Sequence, residues 1–268
     1  MTLGSVVHGT GSSLACPDWP LCHGSALPEM TGGVQFEHSH RLAAAAVVAL
    51  TIALTVATWR RAGRVERGLA LATCGLVAVQ AALGAATVLL RLPPAVSVAH
   101  LATSMAFLSV LVVLTVRLGA LRRTRGDPTS CTWLTVAATV VYLQILLGGV
   151  VRHTGSALVC PGLPWCAGMV WPGDVMQRLH VVHRAGAVIA SIVVLAATLP
   201  LLRTTEPARR AIIVAPAALL CGQLGLGIAA VSVGAPLAIV TAHHATAALL
   251  LASLVLARAS LRSESRAA

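Results

Sequence analysis

Apolar positions run along this chain in seven long blocks, near 38–59, 68–90, 96–117, 131–150, 178–202, 210–233 and 236–257. Polar positions gather in the stretches between them. Each block approaches or exceeds the roughly 20 predominantly apolar residues that cross a bilayer, and a backbone in lipid must satisfy its own hydrogen bonds, so each is predicted to be a helix. With 57% hydrophobic and 10% charged residues and a mean hydropathy of +0.87, a soluble domain is excluded. The expected class is an all-α polytopic membrane protein.

The pattern occurs twice. His40 and His100 recur as His183 and His243, 60 residues apart in both copies and offset by 143. Arg41 and Arg184, Gln80 and Gln223, and Gly84 and Gly227 follow the same offset. In the preceding loops Thr10-Gly11-Ser12, Cys16-Pro17 and Cys22 are matched by Thr154-Gly155-Ser156, Cys160-Pro161 and Cys166 at an offset of 144. Two tandem pseudo-symmetric helix bundles are therefore expected: residues 1–117, a cytoplasmic arginine-rich linker over 118–130, and residues 131–268. The helix at 131–150 opens the second copy, and its counterpart ahead of residue 1 is missing. Either a helix lies upstream, or the chain begins outside the membrane with seven spans, the first helix of an eight-helix plan being absent. Residues 1–35 read as an outer segment containing Gly, Pro and Cys.

The formal charge of +11 does not point to nucleic acid, because of where it sits. Every basic residue is Arg, and arginines cluster at Arg60, Arg61, Arg64 and Arg67, at Arg117, Arg122, Arg123 and Arg125, at Arg203, Arg209 and Arg210, and at Arg258, Arg262 and Arg266. These clusters occupy alternate connections, so the positive-inside rule places them and the C-terminus in the cytoplasm. The cysteine loops, 1–35 and 151–177, then face outward, in an oxidising compartment where disulfides persist. Cys16 with Cys22 and Cys160 with Cys166 read as two short disulfide loops, with a zinc thiolate site as the rival reading. Cys74, Cys131 and Cys221 are unmatched and read as apolar filler.

His40, His100, His183 and His243 all fall within about two turns of the outer ends of their helices. Paired imidazoles from alternate helices of a bundle make a bis-histidine site for haem iron, and ionisable groups within a span are functional candidates by default. Interfacial, hydrated histidines are the plain alternative, which duplicated register disfavours. His244 rivals His243 as a ligand, and only the repeat favours the latter. His38 points about 100° away from His40, while His153 and His180 are placed near the outer surface. Glu37, three residues before His40, shares its face and can move protons or stabilise a developing cation; an N-terminal helix residue favoured by the dipole is the alternative. The second copy has His180 there, which suggests that one half does chemistry while the other holds a cofactor. Arg41 and Arg184 suit either haem carboxylates or anchoring at the headgroups.

The run Thr10-Gly11-Ser12-Ser13-Leu14-Ala15-Cys16-Pro17-Asp18-Trp19-Pro20-Leu21-Cys22, followed by Glu37-His38-Ser39-His40-Arg41, closely resembles the haem A synthase family of cytochrome oxidase assembly. The resemblance covers essentially the whole chain. It implies two pseudo-twofold four-helix bundles in the cell membrane and oxidation of the haem O methyl group to the formyl group of haem A. It also implies His40 and His100 at the substrate haem, Glu37 as the catalytic carboxylate, and His183 and His243 as ligands of a haem b cofactor. Cys16 and Cys22 correspond to the family's redox-relevant pair, Cys160 and Cys166 to a structural one. The implied partners are haem O, membrane lipid, an unspecified electron acceptor, and a haem O synthase or oxidase assembly factors. A non-catalytic bis-histidine electron carrier and a haem transfer protein are the competing functions; a carboxylate in only one half favours the enzyme over the carrier.

Overall fold

The structure is a computed structural model and describes residues 2–121, 123–203 and 207–263. Its helices are α1 (Thr2–Gly9), α2 (Gly32–Arg61), α3 (Arg64–Leu89), α4 (Pro94–Thr115), α5 (Pro128–His153), α6 (Val175–Thr198), α7 (Pro207–Ser232) and α8 (Leu237–Ser260). A π-helical turn, Val116–Ala120, prolongs α4, and a 3-10 turn, Pro200–Arg203, follows α6. Seven helices among the described residues, α2 to α8, are long and apolar enough to cross a membrane. The protein is an all-α multi-pass membrane protein, and the seven helices coincide with the seven apolar blocks.

Most helices begin a few residues ahead of their apolar block, and α5 and α6 start at turns capped by an aspartate. Asp127 accepts the N–H groups of Thr129 (3.2 Å) and Ser130 (2.8 Å) at the start of α5, with Pro128 in the first helical position, where its missing N–H costs nothing. Asp174 caps α6 by accepting the Gln177 N–H at 2.9 Å. The segment 1–35 is not irregular throughout: Thr2–Gly9 is helical and packs on α2. That stretch of Leu3, Val6 and Val7 was too short to register as a block, and it matches the last turns of α5 in the repeat register.

Two three-residue strands, β1 (Thr124–Gly126) and β2 (Leu261–Ser263), pair in parallel, so the arginine-rich linker is partly ordered by the chain's own C-terminal region. The Arg123 guanidinium donates to the carbonyls of Ala259 (3.0 Å) and Leu261 (3.4 Å). Arg122 and Arg266 of the arginine clusters lie outside the described residues.

The chain forms two compact units, residues 1–111 with 236–245, and residues 112–235 with 246–268. In the first, α2 packs on α1 and α3, and the Thr55 hydroxyl reaches the Ala70 carbonyl at 3.2 Å. In the second, α6 packs on α5 and α7. Its core holds Leu134, Ala137 and Val141 of α5, Ala190 and Val194 of α6, and Leu251 and Leu254 of α8. Large apolar side chains such as Leu50, Ile52, Ile189 and Ile192 stay exposed, as expected where lipid rather than water is the solvent.

Candidate functional site

The two cysteine loops fold alike. Cys16 is bonded to Cys22 and Cys160 to Cys166, each pair with Cα atoms 4.7 Å apart, and all four residues are buried. Antiparallel bridges link Cys22 to Ser25 and Cys166 to Met169, and Trp19-Pro20 and Leu163-Pro164 are both cis. Bonded sulfurs offer no thiolates, so the zinc reading falls. Mapping of peptides from protein alkylated without reduction is expected to recover Cys16–Cys22 and Cys160–Cys166 links. Alkylated thiols at all four positions would contradict the structure.

Arg41 and Arg184 knit these loops to the helices. Arg41 donates to the carbonyls of Cys16 (2.8 Å), Asp18 (2.6 Å) and Leu21. Arg184 donates to those of Cys160 (2.7 Å), Gly162 (2.9 Å), Pro164 (3.2 Å) and Trp165 (3.1 Å). A guanidinium fork suits several acceptors at once, and these carbonyls take most of its donors. Asp18 accepts the N–H groups of Gly24 (2.8 Å) and His23 (2.7 Å), which hold its carboxyl below the usual range, the Gly24 bond foremost.

Glu37 is 3% exposed. One carboxylate oxygen accepts from Arg41 at 2.6 Å and the other accepts the Cys16 N–H at 2.8 Å. The carboxylate thus ties the helix that carries His40 to the disulfide. The equivalent His180 is also buried, five residues into α6. His38 is buried beside the disulfide, with a ring nitrogen and both sulfurs within 4.8 Å of one another and neither ring nitrogen hydrogen-bonded. The folded-over loop, not the helix face, sets the surroundings of both histidines.

The proposed ligand histidines lie against glycines. A Cβ placed on Gly4 would stand 3.5 Å from Cε1 of His40, one on Gly84 3.3 Å from Cε1 of His100, and one on Gly148 3.0 Å from Cε1 of His183. Gly4 with His40 and Gly148 with His183 are the same pair in the two copies. In the first unit, His40 and His100 are close enough to interact electrostatically. The Gln80 amide nitrogen is 3.1 Å from Nε2 of His100, whose Nδ1 is buried without a hydrogen-bond partner. The Gln144 amide nitrogen is 3.0 Å from Nδ1 of His183. His243 and His244 have ring centroids 6.5 Å apart, tilted by 50°, and Nδ1 of His244 is 3.1 Å from the Ser5 hydroxyl. Imidazoles in apolar surroundings, three of them lying against glycines, suit a planar iron porphyrin as ligand set. The roles of Gln80 and Gln144 escaped the sequence reading, although a polar residue within an apolar helix is the signal that marks both.

Residues 1–255 match a family model described as cytochrome oxidase assembly protein. The chain is similar to a protein named "Heme A synthase" from Lysinibacillus sphaericus, 32% identical over 202 residues, 70% of this chain and 66% of that one. It is also similar to proteins of that name from Bacillus licheniformis, 29% identical over 77% of this chain and 72% of the relative, and from Shouchella clausii, 28% identical over 85% and 80%. With the match running through nearly all of the chain, including both cysteine loops and every histidine discussed, this protein belongs to the cytochrome oxidase assembly protein family.

Proposed function

We propose that this protein oxidises the methyl group of haem O to the formyl group of haem A within the membrane. The observation that carries the reading is the asymmetry at one position of a duplicated scaffold: a buried, ion-paired Glu37 in one copy and His180 in the other. A carboxylate held by Arg41 and the Cys16 N–H three residues before His40 is a fixed negative charge beside the proposed iron site. The similarity to proteins named "Heme A synthase" supports the same reading.

In this reading His40 and His100 take the iron of the substrate haem in the half formed by residues 1–117. His183 and His243 are the haem b ligands by the repeat register. Conversion of methyl to formyl, by two successive hydroxylations with oxygen from water and loss of one water, releases four protons and passes four electrons to an external electron acceptor. A haem b held by His183 and His243 would supply an electron relay. The Glu37 carboxylate favours the cationic carbon that develops and can accept a proton released from it. Gly4, Gly84 and Gly148 let the imidazoles approach the neighbouring helices, and the apolar helices keep water out. In this reading the cysteine loops lie outside the cell membrane and the C-terminus in the cytoplasm, a sidedness that the positive-inside rule supports. Haem O then arrives from a haem O synthase, and the product passes to oxidase assembly.

The test is pyridine haemochrome analysis and chromatography of haems extracted from the purified protein and from cells that produce it with a supply of haem O. Haem b on the protein together with haem A in the cells is expected. Haem b alone, with no haem A formed, would mark an electron carrier, and haem O carried unchanged would mark a transfer protein.

A further inference from the structure

We propose that residues 154–173 of the second cysteine loop lie in the phospholipid headgroup layer, anchored by Trp165 and Trp171, instead of standing in water.

The loop carries no charged residue from Thr154 to Gly173, and Leu163, Trp165, Met169, Val170 and Trp171 are each 45–61% exposed. Its counterpart in the first copy is more polar. Matching backbone bridges, Cys22 with Ser25 and Cys166 with Met169, fix the register between the two loops. At that register Asp18, His23 and Glu29 give way to Gly162, Ala167 and Gly173, while Ser25, Ala26 and Leu27 give way to Met169, Val170 and Trp171. The same loop fold thus presents polar side chains in one copy and large apolar ones in the other. An exposed apolar patch of this kind marks a contact surface.

Three observations select lipid as the contact. The loop satisfies much of its own backbone: Arg184 donates to the carbonyls of Cys160, Gly162, Pro164 and Trp165, and Arg178 to that of Pro172 at 2.8 Å. The Ala167 N–H donates to the Pro161 carbonyl, and Cys166 and Met169 exchange backbone hydrogen bonds. Polar groups paired within and apolar side chains turned out suit a segment where water is scarce. Depth agrees. Helix α6 has 24 residues, so at 1.5 Å per residue it is about 36 Å long against a hydrocarbon core of roughly 30 Å. Its first turn, and the loop that runs into it, therefore emerge in the headgroup layer. The third observation is the distribution of tryptophan. All five are exposed, and each lies in a cysteine loop or within about two turns of the end of a span, as in interfacial aromatic belts. The Arg178 guanidinium, 5.6 Å from the centroid of the Trp171 ring, sets a cation beside the anchor where lipid phosphate lies.

The experiment labels the purified full chain, reconstituted in phosphatidylcholine vesicles, from both sides of the boundary. One reagent is a phosphatidylcholine with a diazirine close to its glycerol, the other a water-soluble diazirine, and peptide mass mapping locates the adducts of each. Lipid adducts on Trp165, Met169 and Trp171 are expected in the parent. Replacing both anchors, Trp165→Ser with Trp171→Ser, is expected to lower the ratio of lipid to water adducts on Met169 about tenfold, the weight of burying one large apolar side chain. The Cys160–Cys166 bond serves as the folding control. If that variant does not accumulate, the parent decides alone. Water adducts without lipid adducts on the parent loop would mark a face kept for another protein, and neither kind would mark a second copy seated on it. Either result, or an unmoved Met169 ratio in the folded variant, would overturn the proposal.

Discussion

Replacing His183 or His243 by alanine is expected to leave the purified protein without tightly held haem b. An axial imidazole contributes a bond to iron itself. Its loss should therefore exceed the about 10–100-fold penalty for an outer partner of a ligand, and haem b content should fall from near stoichiometric to background. Intact disulfides and an unchanged helical circular dichroism spectrum serve as folding controls. His244→Ala is expected to keep its haem, because the repeat register aligns His243, not His244, with His100. Loss of haem in His244→Ala with retention in His243→Ala would reverse the assignment, which rests on the repeat register alone.

The spans were legible because lipid leaves a helix no alternative, so an apolar block of sufficient length carries its own structure. Helix ends and α1 were less so. A capped polar first turn such as Asp127–Ser130 looks like linker until its N–H bonds are seen, and eight residues at Thr2–Gly9 are too few for a hydropathy pattern. The cysteine pairing followed from spacing and compartment, and the structure forms both bonds. What could not be read was any partner with no side-chain letter. Arg41 and Arg184 bind backbone carbonyls, where side chains alone point to haem carboxylates or headgroups, and Glu37 accepts a backbone N–H. The Gln144–Gly186 contact depends on the register between two helices, which one strip of sequence does not contain. Burial of His38 and His180 follows from loops folding over the helix ends, and a helical-wheel angle is blind to that.

Glu37→Gln is expected to stop formation of haem A while leaving haem b in place. The change removes one negative charge and almost no volume. Its Oε1 can still accept the Cys16 N–H, and Arg41 keeps the carbonyls of Cys16, Asp18 and Leu21, so the disulfide loop retains most of its attachment. What is lost is the fixed charge three residues before His40 and a proton acceptor. A positioned acid or base is typically worth about 10²–10⁴-fold in rate, so haem A should fall by about 100-fold or more. Haem O or a hydroxylated intermediate should accumulate in its place. An electron carrier would respond otherwise, because its potential and haem content would change only modestly with a neutral, nearly isosteric substitution. The deciding measurement is the ratio of haem A to haem O in cells producing the variant beside the parent, with haem b occupancy as the folding control. An unchanged ratio at normal occupancy would remove Glu37 from the chemistry and leave it the peg that joins the Cys16–Cys22 loop to α2.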